Sequence, residues 1–456
     1  MTNCPLLRTA ASALLMTPDH AGDVTVDGDE ILPSCFPVTD LAVSAIGAAG
    51  LAVADLLGTR PRVTVRPLLA NHWFRTSLIP VGWERPAAWD PVAGDYRASD
   101  GWIRLHTNAP RHREAALAVL GCANERAAVA AAVAHWNADA LETAIVDAGG
   151  CAAAMRPVDA WRDHPQGRAV MTEPLIAFDT RVTTAPHAWE PRPDRPLADI
   201  RVLDLTRILA GPVATRFLAG LGADVLRIDP PGWDEPSVVA DITLGKRCAR
   251  LDLEDREDRR RFEALLAEAD VLVHGYRPGA LAGLDYGEAA RRAIAPDLIE
   301  VTLCAYGWTG PWAARRGFDS LVQMSSGIAE AGMRWQNAVQ PVPLPVQALD
   351  HSTGYLIAAA AIRGLAVRRR ENAILSARAS LARTAALLID ADKDRTESVP
   401  VGTVQPNDLA NAIEQTPWGP GRRLRSPLVI DGVDIGWSRA ACDLGSSPAA
   451  WDDSVV

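Results

Sequence analysis

Asp350 is the side chain in this sequence with the strongest setting for covalent chemistry. It follows a proline-rich approach, PVPLP at 341–345, and precedes His351-Ser352-Thr353-Gly354 and a long alanine-rich helical run reaching Arg368. A carboxylate at a helix N-terminus meets partial positive charge, which favours its ionised, nucleophilic form. An aspartate in this pattern more often serves as a helix N-cap, and the local pattern by itself favours capping. A second chemical signal lies at 201–229, RVLDLTRILAGPVATRFLAGLGADVLRID. An apolar run ends at a turn carrying Gly211-Pro212, a helical pattern follows, Gly222 stops it, and a second apolar run ends at Asp229. Such a strand–loop–helix–strand unit binds phosphate-bearing ligands at its loop and helix N-terminus. It lacks GxGxxG, so an ordinary dinucleotide fingerprint is not supported. Among basic residues, Arg277 follows a strand pattern and suits bidentate phosphate binding. Lys246 and Lys393 are the only lysines, so Lys246-Arg247 stands out against an arginine-biased background.

The elements that must position these groups follow from periodicity. Past residue 200 strands and helices alternate: helix 257–268 leads into strand 270–274, and helix 287–294 into strand 298–303. That rhythm predicts a parallel sheet. A helix is expected over 320–331, then the long one after Asp350, then a strand and helix within 374–389. From Asp390 the chain reads as polar and irregular. Upstream, 31–56 holds an apolar alanine-rich helix, 95–107 a hairpin, and 113–120, 125–135 and 137–148 three helices. Pro186, Pro191, Pro193 and Pro196 mark a stiff linker. The expected division is 1–80, an N-terminal segment left over from a large domain; 81–185, a small α+β domain; 197–390, a Rossmann-like α/β domain with a parallel sheet; and 391–456, a C-terminal tail.

Composition narrows the partners. The chain has 456 residues, is 48% hydrophobic and carries a formal net charge of −10, which argues against nucleic acid as its partner. No run reaches about 18 apolar residues free of charge and proline, so no membrane span is expected. The seven scattered cysteines contain no CxxC pair and read as reduced cytoplasmic thiols, not as disulfides or metal ligands.

Five segments then occur in a telling order over about 170 residues: VLDLTRILAGP with GADVLRID, TLGKRCARLDL (243–253), DVLVHGYRPGALAGL (270–284), LCAYGWTGPWAARRGFD (303–319) and PVQALDHSTGYLIAAAAI (345–362). This series resembles the class III CoA-transferases, the formyl-CoA and carnitine CoA-transferase type. The resemblance implies that CoA moves from an acyl-CoA to a carboxylic acid, with coenzyme A as substrate and no prosthetic group. It implies that Asp350 is the covalent nucleophile, passing through an aspartyl anhydride and an aspartyl-CoA thioester. It implies CoA contacts from Ile208, Leu209 and Ala210, from Lys246 and Arg247, and from Tyr276 and Arg277, with Tyr306 and Phe318 near the thioester. Asp319 is read as acting through a neighbour or as structural. A homodimer is expected by the same resemblance.

The sequence departs from that family in several ways. The family opens with its CoA-binding unit and places its small domain later; here the order is reversed. A fusion of two copies whose first lacks its opening half, or a circular permutation, would produce this. Phe36–Leu56 and Leu344–Leu365 share a Pro-Val approach and an alanine-rich helix. Matching the two Pro-Val pairs puts Ala42 opposite Asp350, and a two-residue shift puts Asp40 there; on the Pro-Val register Asp350 acts alone. Leu209 stands where formate/oxalate members carry glutamine, Pro230 where they carry arginine, and no glycine run supplies their lid. Trp308, Trp312 and Trp335 point to a larger apolar acyl pocket. An acyl-CoA racemase, isomerase or lyase and a non-catalytic CoA-binding subunit are the alternatives. A racemase needs a histidine just before the aspartate of the GFD segment, and that residue is Phe318.

Overall fold

The computed structural model describes residues 4–183, 189–391 and 401–452; Pro186 and Lys393 lie outside them. The first half runs through α1 (Pro5–Ala13), β1 (Val24–Val26), α2 (Val38–Leu57), β2 (Val63–Val65), α3 (Pro67–Trp73) and β3 (Leu78–Pro80). The α+β portion follows: β4 (Gly94–Arg97), β5 (Trp102–Leu105), α4 (Pro110–Leu120), α5 (Arg126–Val133), α6 (Ala138–Asp147), β6 (Ala152–Ala154), α7 (Val158–Asp163), α8 (Pro165–Thr172) and β7 (Ala177–Val182). Next come β8 (Arg201–Leu205), α9 (Ala210–Gly220), β9 (Asp224–Asp229), α10 (Val239–Ile242), β10 (Arg247–Arg250), α11 (Arg256–Ala267), β11 (Val271–His274), α12 (Glu288–Ile294) and β12 (Ile299–Cys304). Then α13 (Asp319–Ser325), α14 (Ile328–Trp335), α15 (Ala348–Glu371), β13 (Ala373–Ser380) and α16 (Leu381–Ile389) precede β14 (Leu409–Thr416), β15 (Gly419–Leu424) and β16 (Leu428–Ile430).

The main sheet has the order β10-β9-β8-β11-β12-β13-β7. Six strands are parallel and β7 closes the edge antiparallel to β13. The alternation read from the sequence thus yields a doubly wound sheet, with β8 and β11 adjacent at the point where the strand order reverses. Ligands bind such sheets outside the carboxyl ends of the strands at that point. The strand 177–182, counted by sequence with the small domain, belongs to this sheet. The tail, expected to be irregular, instead forms a hairpin, β14–β15, that adds to β3, and a strand, β16, that adds to β2. Trp437 from the tail stacks on Trp73 at 5.3 Å, and Trp451 joins the core beneath β8 and β9.

Two parts of the chain are built alike. In one, β12 and β13 run parallel, α15 joins them, and β7 adds antiparallel. In the other, β1 and β2 run parallel, α2 joins them, and β16 adds antiparallel. Both helices begin on an inverse γ-turn. Pro37 has φ −78° and ψ 65°, with Val38 N–H donating to Phe36 O; Gln347 has φ −75° and ψ 64°, with Ala348 N–H donating to Val346 O. The Pro-Val register is therefore overturned: the backbone sets Pro37 opposite Gln347, and Asp40, not Ala42, opposite Asp350. Each closing strand comes from the other half of the chain, so the two units interlock.

The core sits where α2 meets α15. By length and composition α2 could cross a membrane; here its residues are nearly all buried. At the C-terminal end of this contact Asp55 of α2 receives Arg363 and Arg370 from α15. Hydrogen bonds to a charged partner contribute about 1.5–3 kcal/mol. Asp55→Ala is accordingly expected to lower the urea midpoint by the equivalent of about 2 kcal/mol, with the denaturant slope unchanged.

Candidate active site

The site rests on a buried polar knot. Asp204, in β8, is fully buried and accepts hydrogen bonds from Thr206 N–H (2.8 Å), Thr206 Oγ1 (2.5 Å) and Thr215 Oγ1 (2.6 Å). Lys246 Nζ lies 2.9 Å from Asp204 Oδ2 and donates to Thr215 Oγ1 at 2.6 Å and Pro212 O at 3.0 Å. Burial opposes ionisation of Asp204, yet Lys246, Arg227 and the two hydroxyls outweigh it and leave its pKa lowered. Burial draws the Lys246 pKa down, with Asp204 pulling against it. The pair ties β8, the loop after it and α9 together. Above it, Ile208 adopts φ +67°, a left-handed conformation rare for a β-branched residue and characteristic of strained functional loops. Its N–H donates to Glu235 Oε1 at 2.6 Å, and Glu235 in turn pairs with Arg227. Gly211 lets the loop fold this tightly, because a Cβ there would stand 2.3 Å from Thr206 Cβ.

Helix α15 lies directly against this loop. Gly354 permits the approach: a Cβ would meet Ala210 O at 2.5 Å. One turn earlier stands Asp350, the third residue of α15, so it is not the N-cap. Its carboxylate takes no hydrogen bond within the protein among the described residues. Asp319, at the start of α13, caps the helix from outside by accepting the Asp350 N–H at 2.9 Å, and it also receives Gln323. Burial, with the Asp319 charge added, pushes the Asp350 pKa well above the ordinary carboxylate range. Burial likewise raises Asp319 to about 6. A desolvated carboxylate with no local partner is a strong nucleophile once ionised. His351, next in sequence, faces away and is stacked on Phe74 at 4.7 Å.

Asp350 opens on a cavity of about 320 Å³ walled by Thr206–Gly211, Gly275–Arg277, Leu303–Ala305 and Arg315–Phe318. The α+β portion closes it, with Arg111 and His112 at the start of α4. Arg315 is held by Glu142 of α6 (2.9 Å) and Ala152 O (2.7 Å), which fastens that portion to the wall. Arg207 lies between Trp233 (4.6 Å) and Tyr276 (5.0 Å). Arg316 is pressed by burial and by Arg277 and Arg111, so its pKa falls. Among the described residues none of Arg111, Arg277 and Arg316 meets a carboxylate. Three unneutralised guanidinium groups beside one cavity suit a polyanion.

Of the residues singled out by sequence, Ile208, Leu209, Ala210, Tyr276, Arg277, Phe318 and Asp350 converge on this cavity. Lys246 and Arg247 do not. Lys246 is the cation of the buried knot, and Arg247 is bound to Asp224 through both carboxylate oxygens (2.9 and 2.7 Å). Tyr306 also lies off the wall: it is 1% exposed, its hydroxyl meets Ser325 Oγ at 3.1 Å, and it supports Arg315 from behind. Trp308, Trp312 and Trp335 do not line the cavity either. Trp308 donates to Ala379 O, Trp312 packs on Trp161 and His164, and Trp335 is exposed. Asp229, at the strand end where a ribose-binding acid would sit, is occupied by Arg227. Sequence reasoning passed over Arg111, His112, Arg207 and Arg316. The Arg-His-Arg run at 111–113, at the start of a predicted helix, was the available signal for the first two.

Residues 197–410 match CoA-transferase family III. That stretch is similar to the domain of family III CoA-transferases. An acyl-CoA transferase of Gibberella moniliformis is 29% identical over 410 residues, covering 83% of this chain and 70% of that protein. Such a span cannot come from residues 197–456 alone, so the likeness reaches into the first half. An acetyl-coenzyme A transferase of Hypoxylon pulicicidum is 34% identical over 198 residues, or 41% of this chain and 33% of that protein. The succinyl-CoA:glutarate CoA-transferase of Mus musculus is 33% identical over 201 residues, or 40% of this chain and 46% of that protein. Against the last two the chain spans less than half of the relative's length.

Two outcomes follow from these electrostatics. Lys246→Met leaves Asp204 charged and unpaired in the core; unfolding titrations should show a loss of about 3–5 kcal/mol. A raised carboxylate pKa stabilises the fold below the unfolded-state value and withdraws that stability as pH rises through the folded one. Asp350→Asn should therefore melt above the wild type at pH 8, and the difference should shrink toward pH 4.

Proposed function

We propose that this protein transfers CoA between carboxylic acids, with Asp350 as the covalent carrier. The observation that carries the reading is the Asp350 carboxylate, buried, unbonded and facing a cavity walled by the 206–211 loop of a family III domain. An Asp350 oxygen attacks the thioester carbonyl carbon; the C–S bond breaks and CoA leaves as thiolate, giving a mixed anhydride. The thiolate attacks the aspartyl carbonyl, the donor acid departs as carboxylate, and Asp350 holds CoA as a thioester. An acceptor carboxylate repeats the sequence in reverse and leaves with CoA. Because burial raises its pKa, Asp350 first gives up its proton to solvent; the transfer steps that follow need no net proton.

The recognition elements agree with this substrate. The first residues of α9, Ala210 and Gly211, line the cavity, and a helix N-terminus favours developing negative charge. Arg277, Arg316 and Arg111 suit the phosphates of CoA. Phe318 occupies the place where a racemase requires a histidine, so proton exchange at the α-carbon is not the favoured reading. Asp40 shares the backbone setting of Asp350, yet among the described residues no strand–loop–helix unit like 201–229 precedes it, and we assign it no covalent role.

The test is direct. The protein is incubated with an acyl-CoA panel that includes dicarboxylic thioesters, trapped with hydroxylamine, and the Asp350 peptide is weighed. A hydroxamate on Asp350 is expected, with transfer falling at least about 10³-fold in Asp350→Ala and surviving in Asp40→Asn. Deuterium wash-in at the α-carbon without labelling of Asp350 would point to a racemase instead. CoA binding with neither result would leave a binding subunit.

A further inference from the structure

The α+β portion contributes one polar side chain that this reaction scheme has not used. His112 is the third residue of α4, whose N-cap is Ala109. It is 2% exposed, lines the Asp350 cavity, and neither ring nitrogen has a hydrogen-bond partner. Leaving a buried donor unmatched costs about 1–3 kcal/mol, so an imidazole kept this way points to a partner that arrives with the substrate. The ring is also held in place. Phe318 meets it edge-on at 6.0 Å, and Phe318 is itself stacked on His106 at 3.8 Å. Burial, followed by Arg111 and Arg316, lowers its pKa to about 4. It is therefore a neutral imidazole at working pH, with one N–H to donate.

We propose that His112 donates this N–H to the acyl carbonyl oxygen as Asp350 attacks. The inference rests on the Asp350 reading and extends it to a second catalytic residue. As the new C–O bond forms, the carbonyl π pair moves onto oxygen and the His112 hydrogen bond strengthens; as the C–S bond breaks, the pair returns. The proton stays on the imidazole throughout, because the N–H of a neutral imidazole is too weak an acid to give it up. The reacting site of the second half of the chain is thus completed by a residue of the first half.

Removing one preorganised donor to a developing oxyanion lowers kcat by about 10²–10³-fold, which fixes the scale of the test. His112→Phe keeps the ring packing and removes the donor; His112→Gln keeps a donor of similar reach; His112→Leu replaces Phe if that variant does not fold. Transfer kinetics, CoA affinity by calorimetry and hydroxylamine trapping are measured on each. The expected result is a kcat about 10²-fold lower in His112→Phe, CoA affinity within about 2-fold of the wild type, an unchanged or higher melting temperature, and partial recovery in His112→Gln. Wild-type kcat in His112→Phe, or a loss confined to CoA affinity, would overturn the role of His112. If the wild type transfers CoA without ever labelling Asp350, the nucleophile assignment fails and His112 falls with it; a labelled wild type with an equally fast His112→Phe removes His112 alone.

Discussion

A single buried ion pair, Asp204 with Lys246, underlies the site. Neither group touches the cavity. Their effect is geometric: the ammonium binds the carboxylate of β8, the hydroxyl of Thr215 and the carbonyl of Pro212, so strand, loop and helix are fixed as one body. Ion pairs buried this completely add little net stability relative to apolar packing. Their retention makes sense where a precise backbone path is needed, and the left-handed Ile208 directly above the pair is that path. With the loop so held, Gly354 can bring α15 against Ala210, and Asp350 arrives at the cavity wall.

Around Asp350 the protein does the opposite of what it does for Asp204. It withdraws water, supplies no hydrogen bond to the carboxylate, and sets Asp319 behind the helix start. The main chain of α15 is satisfied by Asp319, which leaves the Asp350 side chain free for substrate. One aspartate is spent on structure so that the other need not be. The same division appears across the cavity, where Glu142 secures Arg315 while Arg111, Arg277 and Arg316 stay unneutralised.

Much of this was legible in the sequence because local and global signals agreed. The alternation after residue 200 produced the parallel sheet, and the missing glycine fingerprint together with the segment order pointed to the loop that walls the cavity. Asp350 could be named because its helix, its approach and its place in the series coincide. Lys246 misled for a physical reason: its rarity in the sequence marked a specific role, and rarity does not tell a ligand contact from a core cation. Tyr306 and Arg247 failed likewise, since strand-end position gives no side-chain direction. The tail could not be read because β14, β15 and β16 find their partners in β3 and β2, hundreds of residues away, and no local periodicity reports that. Arg111 and His112 were hidden because only the docking of the α+β portion brings α4 to the cavity. The Pro-Val match suggested the wrong register for the repeat, whereas the paired inverse γ-turns at Pro37 and Gln347 define it.

The exchange of closing strands has a consequence for how the molecule is made. On a ribosome β1 and β2 emerge long before β16. Their sheet is finished only by β16, where Val65 pairs with Leu428. Until β16 has been synthesised, β2 keeps an open edge, and the apolar α2 waits for α15. Contacts of such sequence separation slow folding and prolong the exposure of aggregation-prone surface. The surfaces of the first half therefore stay open during translation for longer than those of a domain that folds segment by segment.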